Sequence, residues 1–388
     1  MGTIYFSLHN IMPVVMICAG VSVVAMMWLL LFYRLKVNCV AKYSRKSEDE
    51  PAEYPAVSVI VYACDNSKTL AAMLPSVLEQ DYPAPMEVIV VNDGSSSDVT
   101  DVVKLLSLNH KNLYITFIPD KAQNLSRKKL AISLGVKAAK NPYVIMTCAE
   151  CRVESNRWLR HMAAPFAKGK DVVLGYAGIN RVKGKMNLFD EVLTATVWLS
   201  AAIGGKPYRG MGYNLGYKRS LYFDTKGFAK SLTLHHGDDD IFINQIANGE
   251  NTEVVLTPEA VINVEYYNPE KELREMRMSH CFTGRFLPKC ARRMFGFSAV
   301  MMWLWLAATV VGIVFSLPNA LPALLFVVTI PLVWIPLVLT WRKTGKALGV
   351  KLGAWTLPFM MLFRGFRNLK YKLMCGRASR RNYTWLQH

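Results

Sequence analysis

An α/β domain built on a mostly parallel sheet, carried between membrane-crossing helices, is the fold class predicted by the 388-residue chain. Three observations predict it. Continuous apolar runs alternate with helical patterns through the middle of the chain. Three runs without a charged side chain, 11–33, 297–317 and 321–341, stand outside that middle. The Lys and Arg residues behind the net charge of +18 gather beside these runs.

The first ten residues read as a short non-cytoplasmic N-terminus. Run 11–33 is long enough to cross a hydrocarbon core of roughly 30 Å as a helix. A cleaved signal peptide is the alternative, and it wants a basic start, a shorter apolar core and a small-residue cleavage site. MGTIYFSLHN contains no Lys or Arg and the run ends WLLLFYRLK, so an anchor is expected. Arg34, Lys36, Lys42, Arg45 and Lys46 follow it, and Arg285, Lys289, Arg292 and Arg293 precede the second run. After Trp341 there are eleven Lys or Arg and no Asp or Glu. Cytoplasmic flanks carry this excess. The expected topology is multi-pass in the cell membrane, with 34–296 and the tail inside and the uncharged 318–320 turn outside. Bases beside spans favour anionic lipid as their partner over nucleic acid, which is not expected to bind. Eight cysteines in a chain facing the cytoplasm read as reduced thiols.

Residues 34–56 are of mixed charge, end in DEPAEYPA, and read as a linker. A domain over 57–268 follows. VSVIVYA (57–63), EVIVVND (87–93), NLYITFIP (112–119), PYVIMT (142–147) and DVVLGYA (171–177) read as strands. Helical patterns lie between them at 67–79, 98–108, 126–140 and 154–166. Apolar strands alternating with helices indicate a parallel sheet covered on both faces. Ligands bind beyond the carboxyl ends of such strands, so the residues after each strand are the candidates.

The first strand leads to Ala63-Cys64-Asp65-Asn66 and the second to NDGSSSD, with Asn92, Asp93 and Gly94 at the tip and Asp98 as a helix N-cap. Asp93 either accepts from a base or ribose, or belongs to a plain Asn-Asp-Gly turn. Arg127, Lys128 and Lys129 open the helix after the third strand, where the helix dipole disfavours cations, so an anion partner is expected there. The fourth strand ends in VIMTCAEC, with Cys148, Glu150 and Cys151. GDDD, 237–240, sets three aspartates in succession. Mutual repulsion raises at least one pKa unless a cation is near. A raised carboxylate suits deprotonation of a hydroxyl, whereas acids in the first turn of the following helix are the bland alternative.

In their order and spacing these segments, with GMGYNLGYKRS (210–220) and GDDDIFINQI (237–246), resemble a membrane-anchored family 2 glycosyltransferase with a GT-A fold over about 57–285. The resemblance implies transfer of a sugar from a nucleotide-diphosphate donor to a glycan or lipid-linked acceptor, as in polysaccharide biosynthesis. It implies nucleotide contacts from Ala63, Asp65, Asn92, Asp93, Gly94, Arg127 and Lys128. Asp239 matches the acceptor-activating acid, with Asp238 and Asp240 beside it, and a one-residue shift would select Asp238. Gly210, Gly212 and Asn214 fall on the acceptor side. A divalent metal, Mg²⁺ or Mn²⁺, is implied at a D-x-D whose two acid positions are here Cys148 and Glu150. Thiolate is a poor ligand for either ion. The site therefore either uses Glu150 alone, binds a nucleotide sugar without turnover as a subunit of a glycan-assembly complex, or uses C-x-x-C for zinc or redox chemistry.

PEKELREMRMSHCFTGRFLPKCARRMF reads as an interfacial amphipathic helix over 269–296. It holds Arg277 and His280 where the family carries a basic-aromatic motif that closes on the diphosphate. In the basic tail 342–388, the apolar segment 352–363 is too short to span and is expected to lie in the interface. A transporter is disfavoured because the three spans hold no charge. The topology predicts a silent export-dependent reporter after His388 and an active one in the 318–320 turn. The reverse pattern would overturn it.

Overall fold

The computed structural model describes residues 8–45, 50–64, 66–93, 98–118, 126–179, 182–232, 234–317 and 320–377. Asp65, Gly94 and most of the 318–320 turn, named above, lie outside the described residues. The chain begins with helix α1 (Leu8–Phe32), which passes through a π turn (Tyr33–Val37) into α2 (Asn38–Tyr43). An alternating series follows: β1 (Val57–Ala63), α3 (Ser67–Leu78), β2 (Met86–Asn92), α4 (Asp98–Ser107), β3 (Leu113–Phe117), α5 (Arg127–Ala138) and β4 (Tyr143–Cys148). Asp98 is the first residue of α4, one position later than the N-cap expected of it.

Next come β5 (Cys151–Arg152), α6 (Trp158–Ala167), β6 (Val172–Leu174), β7 (Ala177–Ile179) and α7 (Lys185–Ile203). They are followed by β8 (Leu215–Lys218), α8 (Arg219–Asp224), α9 (Ile241–Ile246), β9 (Thr252–Val254) and β10 (Ile262–Val264). The last helices are α10 (Pro269–Thr283), α11 (Cys290–Ser316), α12 (Ala320–Ala347) and α13 (Leu357–Arg377).

The main sheet has the order β3-β2-β1-β4-β8-β6-β9, and β5-β10-β7 form a small second sheet. Strands β3, β2, β1 and β4 run parallel, and β8 is antiparallel to both its neighbours. Strands β1 and β4 are almost wholly buried, as expected of strands covered on both faces. The chain turns from β1 toward β2 on one side and reaches β4 on the other. The crevice beyond β1 and β4 is therefore the switch point where open α/β sheets bind ligands. Tyr62 pairs with Cys148 and Ala63 with Asn92, so these tips lie level.

The single strand expected over 171–177 is two short strands in different sheets. Gly175 makes the crossing possible. A Cβ there would come within 2.5 Å of the Asn214 side chain. Asn214 is fully buried and uses its whole amide. It accepts from Trp158 Nε1 at 3.1 Å and donates to the Tyr176 and Ala260 carbonyls at 3.0 and 2.8 Å.

Three helices are long and apolar enough to cross a membrane: Met12–Tyr43, Cys290–Ser316 and Leu321–Ala347. Ser22 and Thr309 hydrogen-bond between α1 and α11 at 3.2 Å. Trp341 of α12 meets Phe189 of α7 edge-on at 5.0 Å, joining the helical bundle to the domain.

Between 269 and 296 there is a break where one interfacial helix was expected: α10 ends at Thr283 and α11 starts at Cys290. Helix α10 starts sharply, with Asn268 accepting from Lys271 N–H at 3.1 Å and Pro269 in its first turn. It packs between α7 and α13. An exposed apolar row lies on α13, which runs past the 352–363 expected to lie in an interface. Phe359, Phe363, Phe366, Leu369 and Leu373 are exposed along it, while Arg364, Tyr371 and Cys375 are buried.

Replacing Asn214 by Ala strands one indole N–H and two carbonyls, each worth about 1 kcal/mol net. Asn214→Ala is expected to lose roughly 3 kcal/mol in chemical denaturation of the detergent-solubilised protein, read by tryptophan fluorescence. A loss under about 1 kcal/mol would show that Asn214 does not pin the two sheets.

Candidate active site

The first turn of α5 organises the site. Ser126 caps the helix, its hydroxyl accepting from Lys129 N–H at 3.5 Å. Three successive cations then stand where the helix dipole opposes them, and each has a negative partner. Arg127 Nε pairs with Asp93 Oδ1, and Arg127 Nη2 donates to the Asp93 carbonyl at 2.8 Å. Lys128 Nζ lies 2.8 Å from Asp238 Oδ2 and 5.1 Å from the centre of the Tyr213 ring. Lys129 is buried and donates to the carbonyls of Ser231, Leu234 and His236, which folds the loop leading to GDDD. Burial lowers its pKa to about 8. The anions that the sequence led us to expect there are, for Arg127 and Lys128, the protein's own aspartates.

Asp93 is buried at the tip of β2, where Tyr62 Oη also donates to its Oδ2 at 2.6 Å and its N–H donates to the Ala63 carbonyl at 2.8 Å. Ala63, Asn92, Asp93 and Arg127 are thus brought together at one edge. Lys128 faces the other way, toward the acids.

The three aspartates of GDDD have three environments. Asp240 caps α9 by accepting from Ile241 N–H at 2.6 Å, pairs with Arg209 at 3.2 Å and accepts from Thr283 Oγ1. Its surroundings are those of a structural group. Burial works against ionisation of Asp238, yet the charge and hydrogen bond of Lys128 hold it below the usual carboxylate range. Asp239 accepts from Gly212 N–H at 3.3 Å, and its own carbonyl accepts from Gly210 N–H at 2.7 Å. No cation pairs with it among the described residues. Burial first, then the charges of Asp238 and Asp240, push its pKa up to about 7.

Other expected positions separate. Asn214 is the buried pin described above and does not reach the site. Arg277 is drawn to the seam of α7 and α13: it donates to Thr194 Oγ1, and to Asn368 Oδ1 at 2.7 Å, and lies 3.6 Å from Asp190. His280 lines a cavity of about 160 Å³ that Asp239 also borders. Burial, then the charges of Arg209 and Arg277, hold His280 well below its usual pKa, so it is neutral. Gly210 and Tyr213 of GMGYNLGY line it too, whereas sequence reasoning missed other walls, Tyr176, Glu191, Trp198, Tyr266 and Glu272 among them. The one available signal was Asp190-Glu191 inside the otherwise apolar LFDEVLTATVWLS.

At the tip of β4, Glu150 accepts from Asn66 Nδ2, which places it at the switch point beside β1. Cys148 is buried with its Sγ 3.2 Å from Cys151 Sγ, and burial pushes its thiol well above the ordinary range. A neutral buried thiol is no ligand for Mg²⁺ or Mn²⁺. Among the described residues no group of three or more His, Cys, Asp or Glu is placed to hold a metal. Glu150 is the one hard donor at the D-x-D position, and it fits a divalent ion that draws its other ligands from a bound diphosphate.

Asp239 has a stability consequence of fixed sign. Its folded pKa of about 7 exceeds that of an unfolded aspartate, so the folded state holds an extra proton between the two values. Its contribution is full below about pH 4 and is lost as pH rises through about 7. The stability of Asp239→Asn relative to wild type is expected to rise between pH 5 and 8 in paired denaturation curves. A flat difference would show that Asp239 ionises normally.

Residues 58–228 match the family model for Glycosyl transferase family 2. The chain is 25% identical over 149 residues to the poly-beta-1,6-N-acetyl-D-glucosamine synthase of Staphylococcus epidermidis, covering 38% of this chain. It spans about a third of that relative's length, 34%. Among solved structures, the mannosyltransferase PcManGT from Pyrobaculum calidifontis, in complex with GDP-Man and Mn²⁺, superposes with a TM-score of 0.50 at 17% identity. The match covers 91% of this chain and 99% of that one. The fold is the GT-A fold, three apolar helices flank it at both ends, and residues 58–228 carry the match to the model of glycosyl transferase family 2.

Proposed function

We propose that the chain transfers a sugar from a nucleotide-diphosphate donor to a hydroxyl of a glycan or lipid-linked acceptor at the cytoplasmic face of a membrane, with Asp239 as general base. The observation that carries the reading is the state of Asp239. It is a buried carboxylate titrating near 7, with a charge-paired aspartate on either side. A base poised near neutrality combines availability with driving force for proton transfer. The similarity to a polysaccharide synthase supports a glycan acceptor, and the apolar helices with basic flanks support the membrane and its cytoplasmic side.

In this mechanism the acceptor oxygen attacks the anomeric carbon while its proton passes to an Asp239 oxygen. The bond from the anomeric carbon to the diphosphate oxygen breaks, and the diphosphate leaves with the electron pair. Asp93 and Arg127, with the tips of β1 and β2, form the nucleotide side. Lys128 keeps Asp238 charged, and its own charge acts against the rise of the Asp239 pKa that burial and Asp238 produce. A divalent ion bound with the diphosphate would take Glu150 as its protein ligand and neutralise leaving-group charge.

Cys148 favours a second reading, a nucleotide-sugar-binding subunit without turnover, because one acid of the D-x-D is replaced by a buried thiol. Detergent-purified protein screened for nucleotide-sugar hydrolysis and for nucleoside-diphosphate binding separates the two. Turnover is expected to rise with pH through about 7. Asp239→Asn should leave nucleotide affinity within a few-fold and lower turnover by roughly 10²-fold, the range for a general base. Loss in Asp238→Asn alone would move the base by one residue. Binding without hydrolysis of any nucleotide sugar would establish the subunit reading, and no nucleotide binding at all would leave a fold without the function.

A further inference from the structure

Beyond Asp239 the cavity of about 160 Å³ continues between α7 and α10. At roughly 15 Å³ for each water, it has room for on the order of ten. Its walls are partly aromatic, with Tyr176, Trp198, Tyr213 and Tyr266, and its charge is one-sided. Glu191 comes from α7, Glu272 and Glu275 from α10, and Asp238 and Asp239 from the GDDD turn. The one ammonium is Lys128, already 2.8 Å from Asp238. Both histidines on the wall, His236 and His280, are held below their usual pKa, by burial first.

Glu191 is the group without a role in the mechanism above. It is 4% exposed. Its Oε1 accepts from Ile179 N–H at 2.7 Å and from Tyr176 Oη at 3.2 Å. Its Oε2 is buried with no hydrogen-bond partner among the described residues. No cation pairs with it there, in contrast to the adjacent Asp190, which holds Arg367 at 2.6 Å and Arg277 at 3.6 Å. Burial pushes the Glu191 pKa up to about 7. Ionised, its Oε2 only accepts, and protonated it can donate. In either form a buried polar atom left unmet costs free energy unless a ligand pairs with it.

We propose that this cavity receives the acceptor sugar and that Glu191, backed by Glu272 and Glu275, selects a ring presenting hydroxyl or amine donors and rejects one carrying a carboxylate or phosphate. The proposal rests on the transferase reading for its direction, since Asp239 must meet the acceptor hydroxyl at the cavity mouth. Hydroxyl and amine share the chemistry that Oε2 demands. An anionic substituent would meet five carboxyl groups, offset by Lys128 in the wall and by Lys271, which lies 3.9 Å from Glu275. The aromatic walls suit the apolar face of a pyranose ring.

Three methyl glycosides that differ in charge test the selection: a glucoside, a glucosaminide and a glucuronide. They are titrated into full-length protein in detergent with uridine diphosphate present and absent. Methionine-methyl NMR is the readout, because Met211 and Met276 line the cavity. The glucoside and glucosaminide are expected to shift these two methyls, and the glucuronide to bind at least tenfold more weakly. Glu191→Gln should reduce the preference for the amine over the neutral ring, and Glu275→Gln, on the exposed side of α10, should weaken rejection of the glucuronide several-fold. If Glu191→Gln does not fold, Glu275→Gln carries the charge test alone. Equal binding of the three glycosides, unmoved Met211 and Met276 signals, or discrimination unchanged in folded variants would overturn the proposal. Diphosphate binding in the same samples keeps the two readings apart. Nucleotide binding without a glycoside response ends the cavity proposal only, and a glycoside response without nucleotide binding ends the transferase reading only.

Discussion

The Lys128–Asp238 pair is the interaction on which the site depends. It sits where the first turn of α5 meets the GDDD turn, and it fixes how three adjacent acids share charge. Arg209 pairs with Asp240 and Lys128 with Asp238, which leaves Asp239 between two carboxylates and, among the described residues, without a paired cation of its own. Repulsion and burial then raise its pKa. Were Lys128 absent, Asp238 would lose its reason to stay charged, and a proton would be shared between the two acids. The dipole of α5 opposes a cation at this place. The acidic partners compensate, and they tie the tip of β2 and the acid turn to one helix end.

Helix α7 performs a comparable joining over a longer range. Phe189 packs on Trp341 of an apolar helix, Asp190 holds Arg277 of α10 and Arg367 of α13, and Glu191 borders the cavity. Three successive residues thus connect the helical bundle, the amphipathic α13 and the candidate acceptor space. Asp190 is 1% exposed and doubly paired, the condition under which a buried charge is tolerated. The exposed aromatic row of α13 lies on the same helix as Arg367. Its position at a lipid surface would therefore bear on the cavity wall through one ion pair.

Cys148 takes on a different meaning in three dimensions. In the sequence it stands where an acid is expected. In the fold its sulfur faces Cys151 in the core, and Glu150 alone reaches the crevice, joined to Asn66 at the tip of β1. The thiol has made the first D-x-D position part of the packing.

The sequence by itself determined the α/β class, the alternation of parallel strands with helices and the three apolar helices. Those depend on local periodicity and on run length, which a chain displays residue by residue. It also located the base candidate, because three consecutive acids are a local anomaly. It did not show that 171–177 divides between two sheets. That outcome depends on Asn214, thirty-odd residues away, filling the space beside Gly175. The partners of Arg127 and Lys128, the burial of Cys148 and Asn214, and the diversion of Arg277 to Asp190 were equally hidden. Each is a pairing between segments distant in the chain. Only the tertiary structure decided them, because burial and charge compensation depend on which groups the folded backbone brings within a few ångströms of one another.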